Sequence, residues 1–365
     1  MTKPPYLITI DYPPERGGVA RYLGDVVTAS NGGMKVLISD EYEPVGPGNP
    51  TPVRMFRQQW PRWWPIVGIC HRLRKEASCL LVSHILPVGT AAMISHWFGG
   101  PKYVILAHGL DIRRAYTGPH RRMLARMILK QASAVVANSH ATEEEIQKCF
   151  GISSTVITPG VYDRTFPSKE DARLRLDVKP EEHVILAVGR LVERKGFDDL
   201  ISAAKLLPPN DDIRIVIIGR GPDEAQLVEL AKDCSHRIQF IGNASDEHVN
   251  EWYAAANVFC LPINEDEVDF EGFGIVFLEA ALAGLPIVAG RAGGAPEALV
   301  DRETGLLVNG SDAKETARAL MILLGDEEKQ HAFGKAGRKR VLKDFRWSDR
   351  WNMFENIFSN IEINK

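Results

Sequence analysis

The nine residues Glu271-Gly272-Phe273-Gly274-Ile275-Val276-Phe277-Leu278-Glu279 (EGFGIVFLE) join a glycine-broken turn to an apolar run. The run predicts a helix over 275–283, and strand candidates at 258–261 and 287–289 flank it, as in a parallel α/β unit. The first amides of a helix lack partners and lie at its positive end, so they attract anions. A carboxylate on each side of such a site suits a ligand with both hydroxyls and phosphates. Two glutamates at this spacing are also common as a helix cap and a surface charge.

Short apolar runs alternate with helical runs along almost the whole chain. In the first half, strands are predicted over 6–10, 35–39, 79–83, 103–107 and 134–137, with helices over 19–29, 90–98 and 121–131. In the second half, strands are predicted over 184–188, 213–218, 258–261 and 287–289, with helices over 197–206, 224–232, 275–283 and 313–324. This alternation is typical of parallel sheets covered by helices on both faces.

A chain of 365 residues is longer than one that ordinarily folds around a single hydrophobic core. We therefore expect an α/β protein of two doubly wound Rossmann-like domains. The first is predicted over 1–165 and the second over 166–346, because Pro159-Gly160 and Phe166-Pro167 break the periodicity near the junction. A last helix within 347–365 is free to pack back on the first domain.

Composition indicates a globular protein in a reducing, cytoplasmic compartment. The five cysteines are scattered without a Cys-x-x-Cys pair, which disfavours a zinc site and a disulfide framework. No apolar run is long enough to span a bilayer, and the start of the chain lacks a signal-peptide core. Over 1–165, 19 basic residues stand against 12 acidic ones, and over the remainder 25 stand against 35. A basic half predicts an anionic partner for that half, and chance drift between domains is the alternative.

Two polar turns follow predicted strands of the first half. Gly17-Gly18 precedes the helix that carries Arg21, and this glycine pair either lets a ligand approach the backbone or simply makes a tight turn. The spacing lacks the three glycines of a dinucleotide fingerprint. His108 and Asp111 follow the strand over 103–107, at the sheet edge where α/β proteins bind ligands. A lone histidine is also often structural.

The second half opens with a strand followed by Gly189-Arg190 and, at the next helix start, Lys195. Two cations near a helix N-terminus form a receptor for a diphosphate, with arginine donating in a bidentate fashion and lysine acting as a point charge. We interpret Arg194 as a solvated neighbour of these two cations. A run of surface charge is the competing interpretation.

Together these residues resemble glycosyltransferase family 4, retaining enzymes of the GT-B fold, in which two Rossmann-like domains face each other across a cleft. The resemblance runs from Asp11 to about Trp347. Over Asp269–Glu297 the sequence is most similar to the phosphatidyl-inositol mannosyltransferase branch, which uses GDP-mannose.

The resemblance implies a nucleotide-sugar donor, with a GDP- or UDP-sugar as the candidates, and a donor site mainly in the second domain. The donor contacts that it implies are Gly17, Gly18, Gly189, Arg190, Lys195, Phe273, Gly274, Ile275 and Glu279. The catalytic residues that it implies are His108, Arg190, Lys195 and Glu271, and the acceptor contacts are Asp111 and Arg21.

The resemblance also implies transfer with retention, by front-face attack within an ion pair. No Asp-x-Asp motif is present, so we expect neither a metal nor a permanently bound cofactor.

The acceptor is expected on the first domain, where cations and tryptophans are interleaved. One run holds Arg54, Arg57, Trp60, Arg62, Trp63, Trp64, Arg72, Arg74 and Lys75, and another holds Arg113, Arg114, Arg121, Arg122, Arg126 and Lys130. Such runs suit the headgroup zone of an anionic membrane, which predicts a peripheral enzyme on the inner face that acts on a lipid-linked or other glycan acceptor. Tryptophans that pack a core loop beside solvated arginines are the alternative.

Four other functions remain open at this point. A glycosyltransferase for a soluble small-molecule acceptor and a sugar-nucleotide epimerase of the same fold would share the donor site. A dinucleotide-dependent oxidoreductase is disfavoured by the missing fingerprint. A non-catalytic binding module is disfavoured by the intact set of charged residues. Nucleic acid is not an expected partner, because no recognised binding motif accompanies the basic half.

Overall fold

The computed structural model describes residues 3–15, 17–209, 212–264 and 270–363. These residues divide into two compact units, the first formed by Met1–Gly160 with Trp347–Lys365 and the second by Val161–Arg346. Each unit is described by itself below.

The first unit is built on a parallel sheet of short strands, of which the inner ones are largely buried and the two edge strands are not. Its strands are β1 (Tyr6–Thr9), β2 (Lys35–Ser39), β3 (Thr51–Val53), β4 (Leu80–Val82), β5 (Tyr103–Ala107), β6 (Ala134–Ala137) and β7 (Thr155–Val156). Its helices before residue 161 are α1 (Gly18–Ala29), α2 (Trp64–Arg72), α3 (Thr90–Trp97), α4 (Leu110–Tyr116), α5 (Pro119–Gln131) and α6 (His140–Phe150). Within the described residues the strand order is β3-β2-β1-β4-β5-β6-β7.

The second unit repeats this plan around its own apolar core. Its strands are β8 (His183–Val188), β9 (Ile213–Ile218), β10 (Arg237–Ile241), β11 (Val258–Leu261), β12 (Ile287–Gly290) and β13 (Gly305–Val308). Its helices are α7 (Lys169–Arg175), α8 (Phe197–Ala204), α9 (Glu224–Ala231), α10 (Asp246–Ala255), α11 (Ile275–Leu282), α12 (Ala295–Ala298), α13 (Ala313–Leu324) and α14 (Glu327–Asp344). The strand order is β10-β9-β8-β11-β12-β13 in the part of the chain that the structure describes.

The chain ends in α15 (Trp347–Ile363), which belongs to the first unit and packs against α1. Trp347, Phe354 and Ile361 recur on its buried face. The sequence interpretation extended this element to residue 365, and its last two positions lie outside the described residues.

In both sheets the strand order reverses once, between β1 and β4 in the first unit and between β8 and β11 in the second. Doubly wound sheets bind ligands outside the carboxyl ends of the strands at such a reversal, because the loops there diverge and leave a crevice. The segments after β1, β4, β8 and β11 are therefore the places where the fold positions a site. The fold class expected from the sequence, two parallel-sheet Rossmann-like domains, is confirmed.

Candidate active site

A tight turn after β8 presents two consecutive cations, Arg194 and Lys195. The chain makes a 3-10 turn over Glu193–Lys195 and leaves it at Gly196, whose φ is +69°. A Cβ at Gly196 would overlap the carbonyl of Pro262, which follows β11, so the position requires glycine. This close approach holds the turn against the loop that follows β11.

Glu271 lies between the two cations of this turn. Lys195 Nζ is 2.6 Å from Glu271 Oε2, and Arg194 Nη1 pairs with the same oxygen. The three side chains are only 9%, 16% and 10% exposed for Lys195, Arg194 and Glu271 respectively. Burial by itself would raise the pKa of Glu271, but the two cations outweigh it and hold that pKa below its usual value. The cluster therefore keeps an ionised carboxylate and a net positive charge away from water.

Arg194 corrects one expectation from the sequence, which treated it as a solvated neighbour. The three-residue turn brings residues 194 and 195 to one carboxylate 76 positions away in sequence, whereas Arg190 is exposed and has no ion pair within the described residues. Gly189 runs beside the lysine, since a Cβ there would lie 3.7 Å from Lys195 Cε.

The N-terminus of α11 lies directly after Glu271. Gly274 occupies the cap position with a φ of +86° and has no side chain with which to cap the helix. Gly294 donates its backbone N–H to the carbonyl of Glu271 at 2.9 Å, which fixes the turn before the helix. The ring of Phe273 is buried against Phe345, with ring centroids 5.9 Å apart, so only its backbone is available to a ligand. Ile275 is the first residue of the helix.

Glu279 lies on the second turn of α11. The Tyr253 hydroxyl donates to its Oε2 at 3.2 Å, and Arg164 Nη2 is 3.8 Å from its Oε1. The second unit thus places Arg194, Lys195, Glu271 and Glu279 around one uncapped helix start. Such an arrangement can bind an anion and several hydroxyls together.

In the first unit, Gly17 and Gly18 lie at the start of α1, and Gly17 at the cap position has no side chain with which to cap the helix. A Cβ at either glycine would meet nothing within 4 Å, so the space beside this backbone is open. Arg21, one turn further, forms an ion pair with Asp25 at 3.6 Å.

His108 follows β5 and is held from both sides. Its backbone N–H donates to Asp111 Oδ1 at 2.9 Å, and the ring of Tyr22 meets it edge-on with centroids 5.3 Å apart. Burial, reinforced by the nearby His84, lowers the pKa of His108 to about 3, so the imidazole is neutral at physiological pH. Burial likewise raises the pKa of Asp111. His108 can therefore act as a hydrogen-bonding group and not as a cation.

Sequence reasoning missed Tyr253, Arg164 and His84. Tyr253 and Arg164 contact Glu279 from distant parts of the chain, and a local sequence pattern does not predict such contacts. His84 carried a usable signal, because it directly follows the strand predicted over 79–83, as His108 follows β5.

Within the described ranges, no group of three or more His, Cys, Asp and Glu side chains is placed to hold a metal ion. None of the described helices combines the length and apolar character needed to cross a membrane.

Comparison with known proteins places the chain in a family. Residues 17–164 match the family "Glycosyltransferase Family 4", and residues 168–340 match "Glycosyl transferases group 1". The chain is 30% identical over 93% of its length to a "GDP-mannose-dependent alpha-(1-6)-phosphatidylinositol monomannoside mannosyltransferase" of Mycobacterium tuberculosis H37Rv, covering 94% of that protein. The chain belongs to glycosyltransferase family 4. This family 4 enzyme is a hexosyltransferase that uses a nucleotide-sugar donor, as the sequence predicted.

A Corynebacterium glutamicum protein, "GDP-mannose-dependent monoacylated alpha-(1-6)-phosphatidylinositol monomannoside mannosyltransferase", is 29% identical to the family 4 enzyme over 97% of both chains. Solved structures agree on the GT-B fold. Sucrose-phosphate synthase from Thermosynechococcus elongatus superposes with a TM-score of 0.81 at 23% identity, over 100% of both chains. Anabaena HepE in complex with UDP-glucose superposes with a TM-score of 0.82 at 18% identity, over 98% of this chain and 99% of that one.

Proposed function

We propose that this enzyme transfers a mannosyl group from GDP-mannose to a mannosylated phosphatidylinositol. The mycobacterial and corynebacterial relatives, which match it over 93% and 97% of the chain, both carry this donor and this class of acceptor in their names. The observation that carries the proposal is the buried pairing of Lys195 with Glu271 beside the uncapped start of α11. That site offers a cation, free amides and a carboxylate to one ligand.

In the donor site, Lys195 and Arg190 bind the diphosphate. Lys195 is already fixed by its ion pair, whereas the exposed Arg190, which follows β8, reaches the phosphates with its side chain. The amides of Phe273, Gly274 and Ile275 add donors at the positive end of α11.

Two carboxylates fix the sugar and the ribose. Glu271 accepts from hydroxyls of the transferred sugar, and Glu279 accepts from the ribose hydroxyls while Tyr253 holds its other oxygen. Ionised carboxylates only accept hydrogen bonds, so both suit hydroxyl donors.

The first unit contributes backbone and side chains to the same reaction. Gly17 and Gly18 allow phosphates to approach the start of α1, where the backbone is open. Neutral His108 hydrogen-bonds the sugar near the reacting carbon. Asp111 and Arg21 contact the acceptor. The alternative role for Asp111 is to orient His108, whose backbone N–H donates to the Asp111 carboxylate.

Negative charge grows on the diphosphate as the glycosidic bond breaks, and preorganised cations and amides stabilise that charge where it develops. Lys195, Arg190 and the α11 amides supply this stabilisation, so the enzyme works without a metal. The acceptor hydroxyl attacks from the face that the leaving group vacates and passes its proton to the departing diphosphate oxygen, so the anomeric configuration is retained.

We also propose that the first unit docks on an anionic membrane surface at the inner face of the cytoplasmic membrane. Helix α2 packs against α3, and α3 packs against α5, so the basic residues at the end of α2 and along α5 fall on one helical layer of the sheet. Trp60, which precedes α2, is 88% exposed. Trp64, the first residue of α2, is 45% exposed and lines a cavity of about 470 Å³ together with Arg54 and Arg72 among others. Exposed tryptophans among cations match the headgroup region of a bilayer.

The test is transfer of radiolabelled mannose from GDP-mannose to phosphatidylinositol monomannoside in mixed vesicles, with EDTA present. We expect a dimannosylated lipid with an α linkage by NMR, and the same rate after a metal-chelating column. Product formation only when Mg²⁺ or Mn²⁺ is restored contradicts metal independence, and absence of any product contradicts the proposed reaction.

A UDP-sugar donor is the second candidate, because a protein of the same fold was solved with UDP-glucose. Thermal unfolding with GDP and UDP separates the two, since a ligand at 100 times its dissociation constant stabilises the fold by about 2.7 kcal/mol. If UDP alone stabilises the fold, the donor is a UDP-sugar and not GDP-mannose.

A further inference from the structure

Three neighbouring strands of the first unit are each followed by a polar side chain, and two of these side chains, Asp11 and His84, have no role in the proposed donor site. Strands β1, β4 and β5 lie side by side in the sheet, and Asp11, His84 and His108 follow them. Because parallel strands share one carboxyl edge, the three side chains meet at the reversal of strand order between β1 and β4. The rings of His84 and His108 are 6.5 Å apart.

Asp11 and His84 form a pair that is anchored in the sheet. His84 Nε2 is 3.1 Å from Asp11 Oδ2, and its other ring nitrogen, Nδ1, is 2.7 Å from the Ser83 hydroxyl. Ser83 Oγ donates to Thr9 Oγ1 at 2.8 Å, and the Asp11 N–H donates to the same Thr9 oxygen at 3.0 Å. Both Thr9 and Ser83 are fully buried, so the pair rests on a rigid base.

The Asp11 carboxylate is ionised and still has an unused oxygen. The hydrogen bond from His84 holds the pKa of Asp11 below its usual value against the opposing effect of burial, with further help from the Arg114 cation. The side chain of Asp11 is 44% exposed, and its Oδ1 makes no hydrogen bond within the described residues. An ionised carboxylate only accepts, so it selects a ligand that donates and repels a phosphate.

Unpaired polar atoms lie at the same sheet edge. His108 Nε2 and Asp111 Oδ2 are buried and have no hydrogen-bond partner among the described residues. Leaving such atoms unpaired is costly, and native proteins rarely do so without a reason. The donor sugar proposed above would satisfy His108 Nε2, and a polyhydroxylated acceptor at the same edge would satisfy Asp111 Oδ2 together with Asp11.

We propose that Asp11, oriented by His84, binds a hydroxyl of the sugar or inositol ring of the acceptor. Asp11 is then a binding residue, and His84 is a positioning residue that touches no substrate. The inference rests on the proposed function, because it identifies where that acceptor binds. The acceptor phosphate binds elsewhere, among cations, since Asp11 would repel it.

The experiment compares wild type, Asp11→Asn, His84→Ala and the double variant, with GDP-mannose and phosphatidylinositol monomannoside vesicles. Asp11→Asn is expected to raise the acceptor KM at least tenfold and to leave the donor KM and GDP release without acceptor within twofold. His84→Ala is expected to shift the acceptor KM in the same direction by less. The double variant should be no worse than Asp11→Asn, because His84 acts only through Asp11.

Asp40→Asn is the matched control. Asp40 follows β2, the strand beside β1, and its side chain is exposed. This variant makes the same chemical change at a neighbouring strand end, and we expect an unchanged acceptor KM.

A second measurement does not depend on turnover or on the sugar donor. Calorimetry with the water-soluble glycerophosphoinositol mannoside headgroup, without donor, should show at least tenfold weaker binding to Asp11→Asn than to wild type. An unchanged acceptor KM and headgroup affinity in Asp11→Asn would overturn the inference, as would an equal rise in donor KM. Wild type that binds the headgroup but does not transfer mannose contradicts the proposed reaction and not the subsite. Wild type that does not bind it contradicts the subsite.

Discussion

At the scale of single residues, the second unit depends on one carboxylate that is shared by two cations. Glu271 is 10% exposed and is shared by Lys195 and Arg194. Removing one partner of a buried ion pair leaves the others charged and poorly hydrated, which is far more damaging than loss of a surface pair. The stability of this unit is therefore tied to the protonation state of a residue in the donor site.

Glu271→Gln is expected to lower the free energy of unfolding at pH 7 by about 3–5 kcal/mol. Because the folded pKa of Glu271 lies below its unfolded value of about 4.3, ionisation stabilises the fold above that pH and less so as pH falls through the folded pKa. The difference between wild type and variant should therefore shrink below about pH 4. Urea unfolding at pH 7, 5, 4 and 3 measures it.

The control for this prediction is Glu229→Gln, which breaks a Lys232 pair whose side chains are 63% and 72% exposed for lysine and glutamate. We expect a loss below about 1 kcal/mol. Equal losses in the two variants would show that burial does not strengthen the Glu271 cluster.

A second prediction at this scale separates backbone strain from a clash with Glu271. Gly293 and Gly284 both have positive φ, of +54° and +82°, so alanine at either costs about 1–2 kcal/mol of strain. A Cβ at Gly293 would overlap the carbonyl of Glu271, whereas one at Gly284 meets nothing within 4 Å. Gly293→Ala should therefore lower kcat/KM at least tenfold, and Gly284→Ala should change it less than threefold. An equal loss of kcat/KM in the two variants would show that Gly293 does not act through its contact with Glu271.

Single residues also mark the limit of prediction from the sequence. Lys195 and Glu271 were identifiable because each stands at a strand end or helix start, where general rules place ligands. Their mutual contact was not, since 76 positions separate them in sequence and the contact depends on tertiary packing between the two loops, such as that of Gly196 on Pro262.

At the scale of elements, α15 supports the candidate site of the first unit from outside the sheet. Its first residue, Trp347, packs on Tyr22 with ring centroids 5.6 Å apart, and Tyr22 packs on His108. Further along, Phe354 is fully buried and stacks on Phe358 at 6.2 Å. A helix from the end of the chain thus holds α1 and, through Tyr22, the histidine.

Phe354→Ala is expected to destabilise the first unit by about 3–5 kcal/mol, because it opens a cavity between α15 and its neighbours. Hydrogen exchange should show lost protection in α1 and α15, with α13 of the second unit unchanged. Met353→Ala, on the exposed side of the same helix, should cost less than about 1 kcal/mol. Uniform loss of protection across both units would contradict the assignment of α15 to the first.

The bounds of a strand or helix were predictable from the sequence where all of its residues are buried. The run Ile213–Ile218 is buried throughout, and its apolar sequence gave its bounds without error even though it contains Arg214, which is neutralised by Glu182 at 2.7 Å. Strand β10 (Arg237–Ile241) was missed because it lies at the edge of its sheet and is only half-buried, so its sequence is mixed. Helix α14 was missed because its sequence is also mixed, with many charged residues and only four buried positions among the eighteen.

At the scale of the whole molecule, charge is divided unevenly along the chain. Basic residues exceed acidic ones over 1–165, and acidic residues dominate the remainder. An anionic surface attracts the first part and repels the second, with each basic residue near a lipid surface worth about 1 kcal/mol.

Arg72→Ser with Lys75→Ser should weaken binding to phosphatidylserine vesicles by about 2 kcal/mol, roughly 30-fold, in a sedimentation assay at low salt. Both residues are exposed at the end of α2 and beside it. Lys335→Ser with Lys339→Ser removes the same charge from α14 of the second unit and should change binding less than twofold. Equal weakening by the two pairs, or wild-type binding that survives 0.5 M salt, would contradict docking through the first unit.

The placement of α15 also bears on how the protein is made. Residues 161–346 are contiguous, so the second unit can complete its core as soon as that segment has left the ribosome. The first unit, although its synthesis starts earlier, must wait for Trp347, Phe354 and Ile361 before its helical layer closes. A nascent chain that stops short of these residues would therefore release a finished donor domain joined to an incomplete first domain, a substrate for chaperones and proteases.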